Sequence, residues 1–220
     1  MKNLEGSIEA LNLEIAHLEG RVDSMRQLVP IPLHSFEPET KIEHQYFKMF
    51  AHGLRKNLVN PIQSLQLEFL SSIMVPDLVF LESIGIDKLT QQWQLYSTSF
   101  HSFQVECHGF KPISFSPNII ITVDTTVHLR LSRQSLCLLF PHILHNEQLT
   151  QKMVGRVLSV PTQQNFFFNE NCLVERLETI PNLPVALSRL LGNLDDALTA
   201  LADFRVKPNG ELVAQRVENV

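Results

Sequence analysis

Asp124, His128 and Arg130 fall on the polar positions of one alternating run, so a strand would set all three on one face. A carboxylate, an imidazole and a guanidinium placed together could do general acid–base work and hold an anion. Glu106 and His108 repeat the theme two residues apart. The opposite face of the longer run holds Ile119, Ile121, Val123, Thr125, Val127, Leu129 and Leu131, and this is the face that must meet a core. The polar side chains then point to solvent or to a partner, and a solvated or interface face is the reading adopted for all five.

The nine histidines invite a metal reading. His101 with His108, or His142 with His145, has no carboxylate or cysteine at ligand spacing, so no metal is expected. There is no phosphate-cradling glycine loop, no dinucleotide fingerprint and no nucleophile elbow. Tyr46 and Tyr96 are the only tyrosines, and both fall on predicted helices. Cys107 lies on the apolar side of its strand and reads as a structural thiol. Trp93 and Tyr96 are candidates for a pocket wall, although packing on the sheet is the commoner use of a helix aromatic. No catalytic residue and no cofactor is assigned, and the chain is expected not to be an enzyme.

The elements that carry these residues follow from periodicity. Apolar residues at helical spacing predict helices over about 41–58, from Pro61 to Pro76, and from Asp87 to Phe100, with Asp87 as the cap. Leu78–Leu81 reads as a strand. From Phe103 the period changes to two, giving long strands through 131, then strands over 154–168 and 172–179 joined by a turn at Asn169–Asn171. A last helix is expected over 183–203. Phe166, Phe167 and Phe168 put aromatics on both faces of a strand, so one side should be covered by a helix or a second subunit. The expected fold is α+β, with helices packed on a curved antiparallel sheet behind an N-terminal coiled-coil helix.

That coiled coil rests on strict heptads. Met1, Ile8, Ile15 and Val22 occupy a, and Leu4, Leu11, Leu18 and Met25 occupy d. All eight are apolar, which predicts a parallel two-stranded zipper. Gly6 and Gly20 weaken it, each by about 1 kcal/mol relative to Ala. Pro30 and Pro32 end it. In a homodimer Glu14 would face Glu19, and Arg21 would face Arg26. These like-charged pairs are expected to favour a heterologous partner. The expected divisions are a zipper over 1–29, a linker over 30–40, an α+β domain over 41–204 and a flexible tail over 205–220.

Composition sets the limits. Hydrophobic residues make up 44% and charged residues 19% of 220, with mean hydropathy +0.02, which excludes a wholly disordered chain. No apolar run is long enough to span a bilayer, and no membrane partner is expected. Three cysteines without a C-x-x-C pair read as reduced thiols of an intracellular protein. Net charge is −5, and residues 1–39 hold three Lys/Arg against seven Asp/Glu, which argues against a basic nucleic-acid surface.

Two resemblances add to this. MVPDLVF (74–80) and GIDKLTQQWQLYSTSF (85–100), followed by a strand meander, resemble the NTF2-like (SnoaL-like) cone fold. The zipper with its proline break, YFKMFAHGL (46–54), LFPHILHNEQLTQKMVGRVLSVP (139–161) and FFFNENCLVERLET (166–179) resemble oomycete bZIP transcription factors with a C-terminal NTF2-like domain. That resemblance implies a nuclear transcription regulator, dimerised with a bZIP-type partner chain or with itself. In such factors a basic helix precedes the first heptad and enters the major groove. Here Met1 already occupies an a position. The expectation is that DNA is contacted only through an upstream basic region or a partner, in a truncated factor or a short form that blocks complete ones. The alternative is a small-molecule-binding or enzymatic NTF2-like domain.

Overall fold

The computed structural model describes residues 36–55, 62–114 and 119–212, together with Leu11, Glu14, Ile15 and Leu18. The chain divides into two compact units, Met1–Phe36 and Glu37–Val220. In the first, the four described residues are helical and exposed. The other zipper positions, Met1, Leu4, Ile8, Val22, Met25, Glu19, Arg21 and Arg26, lie outside the described residues.

The second unit is an α+β domain. Helices α1 (Glu37–Phe50) and α2 (Ile62–Ile73) lead into strands β1 (Met74–Phe80) and β2 (Ser83–Ile84). Helix α3 (Ile86–Ser99) follows, then the long strands β3 (Ser102–Ser114) and β4 (Ile119–Arg130). Helices α4 (Arg133–Leu139) and α5 (Glu147–Met153) flank a 3₁₀ turn at Pro141–His145. Strands β5 (Val157–Phe168) and β6 (Val174–Pro181) and helices α6 (Leu183–Leu191) and α7 (Leu194–Leu201) complete the unit.

One six-stranded sheet runs β2-β1-β6-β5-β4-β3 and does not close. Its pairs are antiparallel except β1 with β6, which are parallel. Register shifts at Cys107/Gly109 and Pro112/Ser114 mark irregularities in β3 of the kind that bend a strand and curve a sheet. The helices cover the face that carries Ile121, Val123, Phe166 and Phe168, all essentially without solvent contact. Phe167 alone of the aromatic run points outward, where the Arg176 guanidinium lies 5.4 Å from its ring centre. Among the described residues, the covering of this strand's inner side is supplied by the chain's own helices.

Several boundaries differ from the periodicity. Helix α1 starts at Glu37, inside the segment expected as a linker, and ends at Phe50, before Gly53 turns the chain with φ 73°. Strand β1 begins at Met74, so Pro76 lies within a strand rather than ending a helix. Asp87 is not the cap of α3; Gly85 holds that position without a side-chain bond. The expected helix over 183–203 is two, because Gly192 takes the left-handed conformation and Asn193 caps a new start by accepting from Asp195 N. Helices α4 and α5 are seven residues each, too short for a periodic signal, and Ser132 and Asn146 cap them.

The segment from Arg205 to Leu212, expected within a flexible tail, is instead packed on the domain. Val206 pairs with Leu212, and Leu212 is buried at 3% exposure. Its side chain belongs to the same core cluster as Leu129, Leu158 and Leu187, which the isolated sequence LVAQ could not announce.

Candidate functional site: an apolar cavity under a C-terminal strap

Helix α3 has two working stripes. Lys88, Gln92 and Tyr96 recur every four residues and so share one side of the helix. All three bind the strap formed by residues 206–212. Lys88 Nζ meets Glu211 at 2.5 Å, and Tyr96 Oη donates to Gly210 O at 2.6 Å. Gln92 uses both ends of its amide: Nε2 donates to Leu212 O and Oε1 accepts from Leu212 N, each at 2.9 Å. A buried backbone segment is thereby given partners for both of its polar groups, as burial requires. Lys207 closes the strap on itself by reaching Glu211 at 2.6 Å. Burial alone would raise the Glu211 carboxyl, but the bonds from Lys207 and Lys88 outweigh it and bring the group below its ordinary value.

The second stripe, Leu89 with Trp93, faces a cavity of about 100 Å³. Tyr46 of α1, Val127 and Leu129 of β4 and Gln164 of β5 form its inner walls. Val206, Asn209 and Gly210 of the strap form part of its cover. Among the described residues, no Asp, Glu, Lys, Arg or His lines it. Four of the polar side chains in the wall are already occupied. Tyr96 and Gln92 hold the strap, Thr162 Oγ1 donates to Val160 O, and Asn209 Oδ1 accepts from Glu211 N.

Trp93 stands apart from these four. Its Nε1 is sealed from solvent and has no hydrogen-bond partner. The Tyr46 hydroxyl lies close enough for the indole N–H to favour its ionised form, yet the two do not reach hydrogen-bond geometry. Burial dominates at Tyr46 and drives its hydroxyl well above the usual phenol range. The rings of Phe50 and Phe103 lock the indole, stacked at 5.3 Å and edge-on at 5.3 Å respectively.

A second buried group lies further along α1. Glu39, Glu43, Tyr46 and Phe50 form its inward stripe. Glu43 is fully buried and neither of its oxygens has a partner. Burial first, and the neighbouring Glu39 second, push its carboxyl up to about 9, so it is protonated at neutral pH. Glu39 Oε1 accepts from the Cys172 thiol at 3.2 Å. That bond and burial raise the Cys172 thiol, while Cys107 is raised mainly by burial. Neither carboxyl lines the cavity. Sequence reading missed the pair; the signal available was two glutamates at i, i+4 continuing the Tyr46–Phe50 face.

The residues first singled out for chemistry lie apart from this cavity. Asp124, His128 and Arg130 stand on the outer sheet face. Asp124 pairs with Lys111 at 2.6 Å, and Arg130 Nη1 donates to Gly155 O at 2.9 Å. His128 bridges Ser159 at 3.0 Å and Glu106 at 3.3 Å. His108 meets Thr126 at 2.7 Å, and His142 meets Thr199 O at 2.9 Å. Among the described residues no group of three or more His, Cys, Asp or Glu is placed to hold a metal. Nor is any described helix long and apolar enough to cross a membrane. Trp93 and Tyr96 both line the cavity.

Comparison with known proteins places these features. A search of curated proteins finds no match. Among solved structures the chain is similar to an NTF2-like protein of unknown function from Exiguobacterium sp. 255-15, at 13% identity and TM-score 0.42 over 64% of this chain and 98% of that one. It is also similar to a SnoaL-like polyketide cyclase from Agrobacterium tumefaciens, at 10% identity and TM-score 0.46 over 70% and 98%. TsrD from Streptomyces laurentii gives 10% identity and TM-score 0.46 over 72% and 97%. The expectation that the chain is not an enzyme is corrected here: a polyketide cyclase stands among the structures it resembles, and the exclusion of catalysis is withdrawn. Residues 41–99, from α1 through α3, match the sequence model of the bZIP transcription factor 1 C-terminal domain.

Proposed function

We propose that this chain is a transcription regulator of bZIP type that acts through dimerisation of its heptad segment in the nucleus. The observation that carries the reading is the match of residues 41–99 to a bZIP factor's C-terminal domain, on the same chain as eight consecutive apolar a and d positions. The partner is a bZIP-type zipper or a second copy, and contact with DNA belongs to a basic helix joined to such a zipper. The test is a full-length Leu11→Glu/Leu18→Glu variant. Wild-type chain should sediment as a dimer, alone or with a bZIP-type zipper chain, and should alter a nuclear reporter; the variant should do neither. Wild-type chain that stays monomeric with every zipper offered, and leaves the reporter unchanged, sinks the reading.

A second reading is favoured by the apolar cavity: the α+β domain binds a small molecule inside the fold.

A further inference from the structure

On the outer face of the sheet, three adjacent strands bring together a hydroxyl, an imidazole and a carboxyl. His128 of β4 pairs directly with Ser159 of β5, so their side chains stand side by side on one face. Glu106 of β3 lies two residues beyond Gln104, the direct partner of His128, and reaches the ring on the diagonal. His128 Nδ1 is 3.0 Å from Ser159 Oγ, and its Nε2 is 3.3 Å from Glu106 Oε2. A carboxylate can only accept, so the ring proton sits on Nε2 and donates to Glu106. Nδ1 then carries the lone pair and accepts from the Ser159 hydroxyl. This sets a nucleophile against a base, with the base oriented by a third group. The two ring nitrogens exchange the roles they have in the familiar serine hydrolase triad.

Acyl transfer also needs a donor for the oxygen that becomes negative. Successive residues of an antiparallel strand turn their N–H and C=O to alternate neighbours. Pro161 turns its carbonyl away from β4, where it accepts from Asn182 N at 2.8 Å. Ser159, two residues earlier with no shift in register, turns its N–H to the same side. The ladder to β6 ends at the Thr162–Pro181 pair, so among the described residues no strand meets Ser159 there. The nucleophile thus brings its own backbone N–H, outside the ladder.

We propose that Ser159, His128 and Glu106 form a site on the outer face that hydrolyses short-chain carboxylic esters. Ser159 Oγ bonds to the carbonyl carbon while its proton passes to His128 Nδ1, and the Ser159 N–H meets the oxyanion. The bond to the alcohol oxygen then breaks, and Nδ1 gives the proton to the leaving alkoxide, which leaves an acyl-serine. Water repeats the sequence: its proton goes to Nδ1, its oxygen bonds to the acyl carbon, and Ser159 departs with that proton as the free hydroxyl. The products are an alcohol and a carboxylic acid. Glu106 touches no substrate; it is a positioning residue that fixes the ring tautomer. Val157, two residues before Ser159 on the same face and 37% exposed, offers the acyl chain one small apolar contact.

The test treats the full chain with a fluorophosphonate and locates the adduct by peptide mass spectrometry, with phenyl acetate hydrolysis followed in parallel. The adduct should sit on Ser159. Ser159→Ala and His128→Gln should each lower phenyl acetate turnover about a hundredfold, and the double variant no further. Glu106 is 58% exposed, so water screens its hold on the ring. Glu106→Gln should therefore lower kcat by about 2–5-fold and leave KM unchanged. A chain that takes no label, or takes it only elsewhere, overturns the assignment, and that result needs no variant. Phenyl acetate turnover that survives Ser159→Ala overturns it as well, because the reaction would then lie on an exposed histidine.

Discussion

Gln92 and Leu212 lie 120 residues apart and exchange two hydrogen bonds, so that one buried side-chain amide acts as a strand partner for one residue of backbone. The C-terminal strap is thus attached to α3 by a group whose only alternative inside the protein is to remain unpaired. Gln92→Ala should remove both bonds and leave the Leu212 N–H and C=O exposed to desolvation. A loss of about 1–3 kcal/mol is expected. Hydrogen exchange should rise first in residues 206–212 rather than across the sheet. Tyr96→Phe, which removes one bond to Gly210 O, should cost about 1 kcal/mol. Unchanged exchange in the strap of both variants would show that the strap is held by Leu212 packing alone.

The Glu43 carboxyl should give stability an unusual pH profile. Its ordinary value is 4.5, and in the folded chain it is raised to about 9. Between these limits the folded state keeps a proton that the unfolded state has released. Stability should therefore be greatest below pH 4.5 as far as this group is concerned. It should decline as pH rises, by up to about 1.4 kcal/mol per unit, and level off above 9. Glu43→Gln keeps the shape and cannot ionise. Urea midpoints measured at pH 5 and pH 8 should diverge for wild type and converge for the variant. Parallel behaviour of the two proteins would remove Glu43 from the account.

The β1–β2 hairpin stores strain at a defined place. Phe80 pairs with Ser83, leaving Leu81 and Glu82 as a two-residue turn with φ of 50° and 62°. Turns of this kind favour Asn and Gly, whose side chains tolerate the left-handed region. Glu82→Gly should raise stability by about 0.5–1 kcal/mol, despite the added freedom of the unfolded chain. Thermal unfolding of the variant measures this; a lower melting temperature would show that Glu82 makes a compensating contact.

The heptad charges predict a partner preference. Changing Glu19 to Arg turns the expected Glu14–Glu19 repulsion across a parallel homodimer into attraction. Each exposed pair is worth about 0.2–1 kcal/mol, so self-association should tighten by a few-fold, more at low salt. Sedimentation at two salt concentrations decides it. Weaker self-association of the variant would contradict the parallel register.

The sheet was legible because its strands are long and alternate cleanly. The inner residues of β4 and the outward placement of Asp124, His128 and Arg130 follow from that period of two. The cavity wall was half legible: Trp93 and Tyr96 stand out as helix aromatics. Nothing local marks Gln164, five residues past Ser159 on β5, as sharing a wall with them. Glu43 was hidden because a glutamate four residues after another on a helix ordinarily faces water. Gln92 and Leu212 were hidden for a different reason. Their pairing is purely tertiary, and a strap with few apolar residues looks like a tail until the helix that receives it is in place.

The parallel pairing of β1 with β6 has a consequence for the growing chain. Met74–Phe80 leaves the ribosome with only the two-residue β2 beside it, and its other neighbour, Val174–Pro181, follows almost a hundred residues later. At about 5–20 residues per second, that edge waits roughly 5–20 s for its partner. Pro76 in the middle of β1 lacks the N–H that another strand would use, which protects the waiting edge from joining the wrong chain.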